Sequence, residues 1–191
     1  DTLEELGSLE GELEAIRAAN VAHHLELIES AVEAGAKIVG LGELFPAPYF
    51  ALEQRSFWRA MAEDVVHGPT VAALKEAAAR LQGVIVAPIY ELDPQTGERF
   101  NTAVVIDADG RWCGRYRKTH IPCGVNEQGE FHETFYYGAS DGALVGNAVS
   151  TQSNSRRPSA SRGRSTGAFS CTVPPSSQGV AAHKVLPRQE A

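Results

Sequence analysis

The sequence predicts an α/β layer fold with its strands inside. Two stretches carry apolar residues at helical spacing, and short β-branched runs of buried character alternate with them. Residues 101–107 and 112–116 form a further pair of runs, joined by Asp107-Ala-Asp-Gly110 in the manner of a hairpin.

Residues 1–15 are acidic, weakly patterned and contain no strand-like run. Val21, Leu25, Ile28 and Val32 then form a helical stripe, with Glu26, Glu29 and Glu33 on other faces and Gly35 at the C-cap position. His23 and His24 are adjacent and point to different sides, so they read as surface or boundary residues rather than metal ligands. The apolar run 37–41 reads as a buried strand and leads into Gly42-Glu-Leu-Phe-Pro-Ala-Pro-Tyr-Phe50. Glu43 thus stands at the carboxyl end of a strand, where open α/β sheets place their ligands. The prolines and aromatics after it stiffen a loop able to wall off a pocket. Taken alone, Glu43 could equally be a strand-end acid capping the next segment.

Residues 51–66, with Phe57, Trp58, Met61, Val65 and Val66, are expected to hold a short helix packed by its aromatics. Gly68-Pro69-Thr70 starts a second clear helix with a stripe of Val71, Leu74, Ala78 and Leu81, and Gly83 ends it. Residues 84–90 form a second buried strand, 93–97 a turn, and 101–107 and 112–116 the hairpin. A basic cluster, Gly114-Arg-Tyr-Arg-Lys-Thr-His-Ile-Pro122, leaves the last strand; on local grounds it is a solvated edge.

With 191 residues, 43% hydrophobic and 21% charged, the chain is one globular domain or a piece of one. No apolar run approaches the ~20 residues of a membrane span, and the chain opens on Asp1 with no signal-like segment. Cys113, Cys123 and Cys171 are three, without paired spacing, which argues against a disulfide framework and a zinc site and points to a reducing, cytoplasmic setting. No metal and no cofactor is expected. The net charge of −7 divides unevenly: residues 1–143 carry 11 Lys/Arg against 23 Asp/Glu, and residues 144–191 carry six against one.

Glu43 and the basic cluster together are specific. The stretch from about Asn20 to Gly142 resembles the carbon–nitrogen hydrolase (nitrilase) superfamily. The resemblance rests on Gly-Glu-Leu-Phe-x-x-Pro-Tyr-Phe, Gly68-Pro-Thr70, Pro88-Ile-Tyr-Glu91, Asn101-Thr-Ala-Val-Val-Ile-Asp-Ala-Asp-Gly110 and Tyr116-Arg-Lys-Thr-His-Ile-Pro122. Within the superfamily it looks most like N-carbamoyl amidases of the β-ureidopropionase and N-carbamoylputrescine amidase kind. The resemblance implies a partial four-layer α-β-β-α sandwich in a homo-oligomeric family acting on small N-carbamoyl or amide substrates, with no nucleic-acid or membrane partner. It implies Glu43 as general base, Lys118 as oxyanion-stabilising cation and Glu133 as a second glutamate holding Lys118 and the substrate nitrogen. Tyr49 and Tyr137 become pocket walls, and His120 a loop brace.

The family's nucleophile is a cysteine in a motif G-[VI]-x-I-C-[YW]-[DE]-x-R-x-P, and no segment here matches it. The nucleophile is therefore unassigned: Cys113 and Cys123 occupy positions the family does not use, and Thr-Val-Pro-Pro follows Cys171 in place of an acid and an arginine. Residues 144–191 hold nine serines, no isoleucine and one aromatic, Phe169, a composition expected to be disordered. Coding sequence read out of frame, a linker and a Ser/Arg-rich arm all accommodate it. The resulting division is 1–15 as a poorly patterned start, 16–143 as the N-terminal part of a hydrolase domain, and 144–191 as a low-complexity tail. The chain itself is expected to be inactive or a non-catalytic unit associating with homologous subunits.

Overall fold

A computed structural model describes residues 3–126 and 129–146. Helices α1 (Leu3–Ser8) and α2 (Leu13–Glu33) are followed by strand β1 (Ile38–Gly40), a 3-10 turn (Ser56–Met61), helix α3 (Pro69–Leu81) and strand β2 (Val84–Leu92). Strands β3 (Arg99–Ile106), β4 (Trp112–Arg117), β5 (Cys123–Asn126) and β6 (Gly129–His132) come next, then the short helix α4 (Glu133–Tyr136) and strand β7 (Leu144–Gly146). Five strands form one sheet in the order β1-β2-β3-β4-β7, and β5 pairs with β6 apart from it. Only β1 and β2 run parallel; the other pairs are antiparallel. The mixed α/β class predicted by the periodicity is what is observed. The fifth strand falls on the first three residues of the segment set apart by composition; the rest of that tail lies outside the described residues.

Alternation decides which side chains go inward. Ile85, Ala87 and Ile89 of β2 and Val104 and Ile106 of β3 share one face and pack against Val21 and Ile28 of α2 and Val71, Leu74, Ala77 and Ala78 of α3. On the opposite face Val84, Val86, Pro88, Ala103 and Val105 are only half-buried, and Ile38 is 64% exposed. Among the described residues one helical layer and one main sheet are thus present, half of the sandwich the resemblance implies.

Several expectations change in detail. Residues 37–41 were expected to be a buried strand, but β1 is the sheet's edge: only β2 flanks it among the described residues. Within residues 51–66 the expected short helix is a six-residue 3-10 helix, Ser56–Met61, because the chain straightens at Ala62 and Glu63 bridges to Glu91 on the same edge. That bridge and β1 leave a gap on the edge of β2, and Pro88, which has no N–H to offer, sits in it. Helix α3 ends on Gln82, in the left-handed region at φ 56°, rather than on Gly83; an added Cβ at Gly83 would come within 3.0 Å of Val32. The weakly patterned start is helical. Leu6, Leu9, Leu13 and Ile16 recur every three or four residues and join an aromatic cluster around Phe50, Trp58, Tyr90 and Tyr136. His23 is exposed, while His24 lies against Phe45 at 4.8 Å.

Candidate active site

Three separate segments converge at the end of the sheet where β1 and β4 finish. Glu43 lies three residues beyond β1, Lys118 directly follows β4, and Glu133 opens α4. The Lys118 ammonium Nζ donates to Glu43 Oε1 at 2.9 Å and to Glu133 Oε2 at 2.8 Å. Tyr49 donates its hydroxyl to Glu133 Oε1 at 3.2 Å. Four of the residues singled out in the sequence are therefore joined in one network; Tyr137 is buried beside them, but its hydroxyl makes no hydrogen bond among the described residues.

Local backbone explains each placement. Leu44 adopts φ 50°, a left-handed conformation costly for a side chain with a Cβ. The twist buries Leu44 in the aromatic cluster while Glu43, one residue earlier, faces the site. Lys118 is gripped through its backbone, its N–H donating to Asn101 O at 2.8 Å and its carbonyl accepting from Ser140 N at 3.1 Å. Before it, Arg117 and Arg115 are anchored by the fully buried Glu91, which also accepts from Thr102. Glu133 is held by the hairpin that precedes it, whose His132 N–H donates to Ala51 O at 2.7 Å.

The electrostatics follow burial. Side-chain exposure falls from 52% at Glu43 through 30% at Lys118 to 6% at Glu133, so the pair with Glu133 is the less screened. At Lys118 burial opposes the charged form, but the hydrogen bonds it donates to Glu133 and Glu43 outweigh it and hold the ammonium above the ordinary lysine range. At Glu43 burial likewise raises the pKa, yet the bonds from Lys118 and Asn101 carry it below the usual carboxyl value. Burial and the Glu133 carboxylate push the Tyr49 phenol up to about 12. Tyr137 moves the same way for the same two reasons.

Asn101 is the residue that sequence reading passed over as part of a strand motif. Its Nδ2 donates to Glu43 Oε1 at 2.6 Å, so Glu43 takes hydrogen bonds from both Asn101 and Lys118. An amide inside an apolar strand was the available signal. His120 is exposed and bonds its neighbour Thr119 at 2.9 Å. Cys113 is buried near the start of β4, five residues from Lys118, which at ~3.3 Å per residue is ~16 Å along the strand. Burial raises its thiol pKa. Cys123 is exposed on β5, and Cys171 lies outside the described residues.

Two carboxylates sharing one ammonium at the carboxyl edge of an α/β sheet define a site suited to moving a proton beside a developing negative charge. The sequence profile of the Carbon-nitrogen hydrolase family matches residues 13–171, and the chain belongs to that family. It is 35% identical over 124 residues to an N-carbamoylputrescine amidase of Arabidopsis thaliana, covering 65% of this chain and 40% of that protein. It is 37% identical over 116 residues to a beta-ureidopropionase of the same plant, covering 60% of this chain and 27% of the relative. Among solved structures, a carbon-nitrogen hydrolase from Helicobacter pylori G27 superposes with a TM-score of 0.57 at 31% identity, over 65% of this chain and 41% of that one. Nit3 of Saccharomyces cerevisiae gives 0.53 at 26%, over 65% and 44%. The chain spans about two fifths of the length of most of these relatives.

Proposed function

We propose that residues 16–143 hold the base-and-cation half of a site that hydrolyses a carbon–nitrogen bond, with an N-carbamoyl compound as substrate. The reading rests on Lys118 Nζ bridging Glu43 and Glu133 at 2.9 and 2.8 Å from three distant segments. In this mechanism Glu43 takes a thiol proton, and the thiolate adds to the carbonyl carbon. Lys118 stabilises the oxyanion, and the amine leaves with the proton held by Glu43. Glu43 then deprotonates water, which cleaves the thioester; a carbamoyl substrate ends as ammonia and carbon dioxide. Asn101 fixes the Glu43 carboxylate that does both transfers, and Glu133 keeps Lys118 charged. Tyr49 and Tyr137 wall the pocket.

This reading leaves the nucleophile unassigned, with Cys113 buried on β4 and Cys123 exposed on β5, and expects no turnover from this chain. A base and an oxyanion donor leave only water to attack, and losing the nucleophile alone costs orders of magnitude in such units. The test incubates the purified chain with N-carbamoyl-β-alanine and N-carbamoylputrescine and measures ammonia. None is expected; turnover abolished by Cys171→Ala would make Cys171 the nucleophile. In an intact relative, changing the glutamate matching Glu43 to Gln should abolish turnover without unfolding, and retained activity would overturn the role of Glu43. The half-exposed apolar sheet face favours a second reading, a non-catalytic unit that associates with homologous subunits. A monodisperse monomer after co-expression with an intact relative would exclude it.

A further inference from the structure

Eight arginines fall within the described residues, and six of them sit in ion pairs: Arg17, Arg55, Arg80, Arg111, Arg115 and Arg117. The two without a carboxylate partner there, Arg59 and Arg99, line the same cavity of about 590 Å³. They are neighbours: Arg99 Nε donates to the Arg59 carbonyl at 3.4 Å, and both guanidiniums act on the buried Tyr90 hydroxyl. Arg59 is steered by a 4.3 Å stack on Phe135 and a 2.7 Å bond to the Phe135 carbonyl. Both side chains are half-buried in a chain of net negative charge, where acidic partners are plentiful. Two adjacent, partly desolvated cations repel each other, and a shared anion is the arrangement that relieves this. Tyr137 lines this cavity as well as standing beside the Glu43–Lys118–Glu133 network, whereas Glu43, Lys118, Glu133 and Tyr49 do not line it.

We propose that this cavity is an anion-binding site, adjoining the Glu43–Lys118–Glu133 site at Tyr137 but built on other charged groups, in which Arg59 and Arg99 together grip a carboxylate or phosphate group. Arg99 bonds the Arg59 carbonyl through Nε, and among the described residues its two terminal nitrogens take no hydrogen-bond acceptor, the geometry suited to an oxyanion. The Phe135 ring, on which Arg59 stacks, lines the same cavity and offers an apolar wall for the body that carries the anion. Glu98 and Asp141, both exposed, also line the cavity and disfavour the more highly charged anion.

The test is a nitrogen-15 NMR titration of the full chain, reading the arginine Nε–H signals, with sodium phosphate and sodium benzoate in parallel against sodium chloride at matched ionic strength. Saturable shifts at Arg59 and Arg99, absent at Arg80, are expected, with binding weaker by about tenfold or more in Arg99→Gln and in Arg59→Gln. Arg99→Lys, which keeps the charge and loses the fork, should fall between. Saturation by phosphate alone marks a phosphoryl ligand, and by benzoate alone a carboxylate on an apolar body. Shifts that chloride reproduces, or that persist in the double variant, overturn the proposal. The comparison of anions on the unmodified chain decides it even if a substitution fails to fold.

Discussion

Replacing Glu91 by Gln tests the frame that delivers Lys118. Glu91 is 0% exposed and takes charged hydrogen bonds from Arg115 at 2.5 Å and from Arg117 at 2.9 and 2.5 Å. Gln keeps the volume and removes the charge. Arg115 then has no counter-ion among the described residues, while Arg117 keeps Asp93 at 2.7 Å. Breaking a buried pair from one side costs about 3–5 kcal/mol. The arginine side chains are 20% and 18% exposed, so water recovers part of that, and the expected loss sits at the low end, about 3 kcal/mol. For a domain of this size that lowers Tm by roughly 6–12 °C. Urea unfolding should show a lower midpoint at unchanged slope. Arg80→Ala, which breaks the exposed pair with Glu29, is the control and should change stability by no more than about 1 kcal/mol. A Glu91→Gln variant within about 1 kcal/mol of the unmodified chain would refute the reasoning and leave the cluster a solvated edge.

Lys118 has a raised pKa, so its contribution to stability is complete below the unfolded lysine value of about 10.4 and is lost as pH rises through the folded value. Glu133→Gln should lower the Lys118 pKa, read from the carbon-13 shift of the reductively methylated amine; an unchanged value would remove Glu133 from the network. Glu43 has a lowered pKa, so its contribution is complete above the unfolded carboxyl value of about 4.3 and is lost as pH falls through the folded value. Asn101→Leu should raise the Glu43 pKa in a carboxyl NMR titration, and no change would mean that Lys118 alone sets it. Phenolate absorbance should show a step near pH 12 that disappears in Tyr49→Phe and moves down in Glu133→Gln. Trp58→Ala empties a 0% exposed position stacked 5.6 Å from Phe50 and should cost about 3–5 kcal/mol in urea unfolding.

The sequence by itself determined the elements with strong periodicity. The stripe from Val21 to Val32, the Gly68-Pro-Thr70 helix start and the Asp107-Ala-Asp-Gly110 hairpin are local events, governed by side-chain spacing and turn chemistry that neighbours do not override. It also singled out Glu43 and Lys118 as candidates, because each stands just past a strand end inside recognisable flanks, and the family resemblance added Glu133. Their meeting was decided only in three dimensions. Seventy-five residues separate Lys118 from Glu43, and the 2.9 Å contact exists because β2 and β3 lie between β1 and β4 and set the distance across the sheet. Asn101 entered the site the same way, through the face its register gave it. The edge position of β1 and the short 3-10 turn at Ser56–Met61 were equally non-local, fixed by which neighbour each edge finds. The pairing of arginines is of this kind too. Arg99 follows Arg59 by 40 residues, and only folding leaves the two side by side while Glu91 claims Arg115 and Arg117. Periodicity reports what a residue does to its own segment; charge pairing depends on the distance between segments, which packing alone sets.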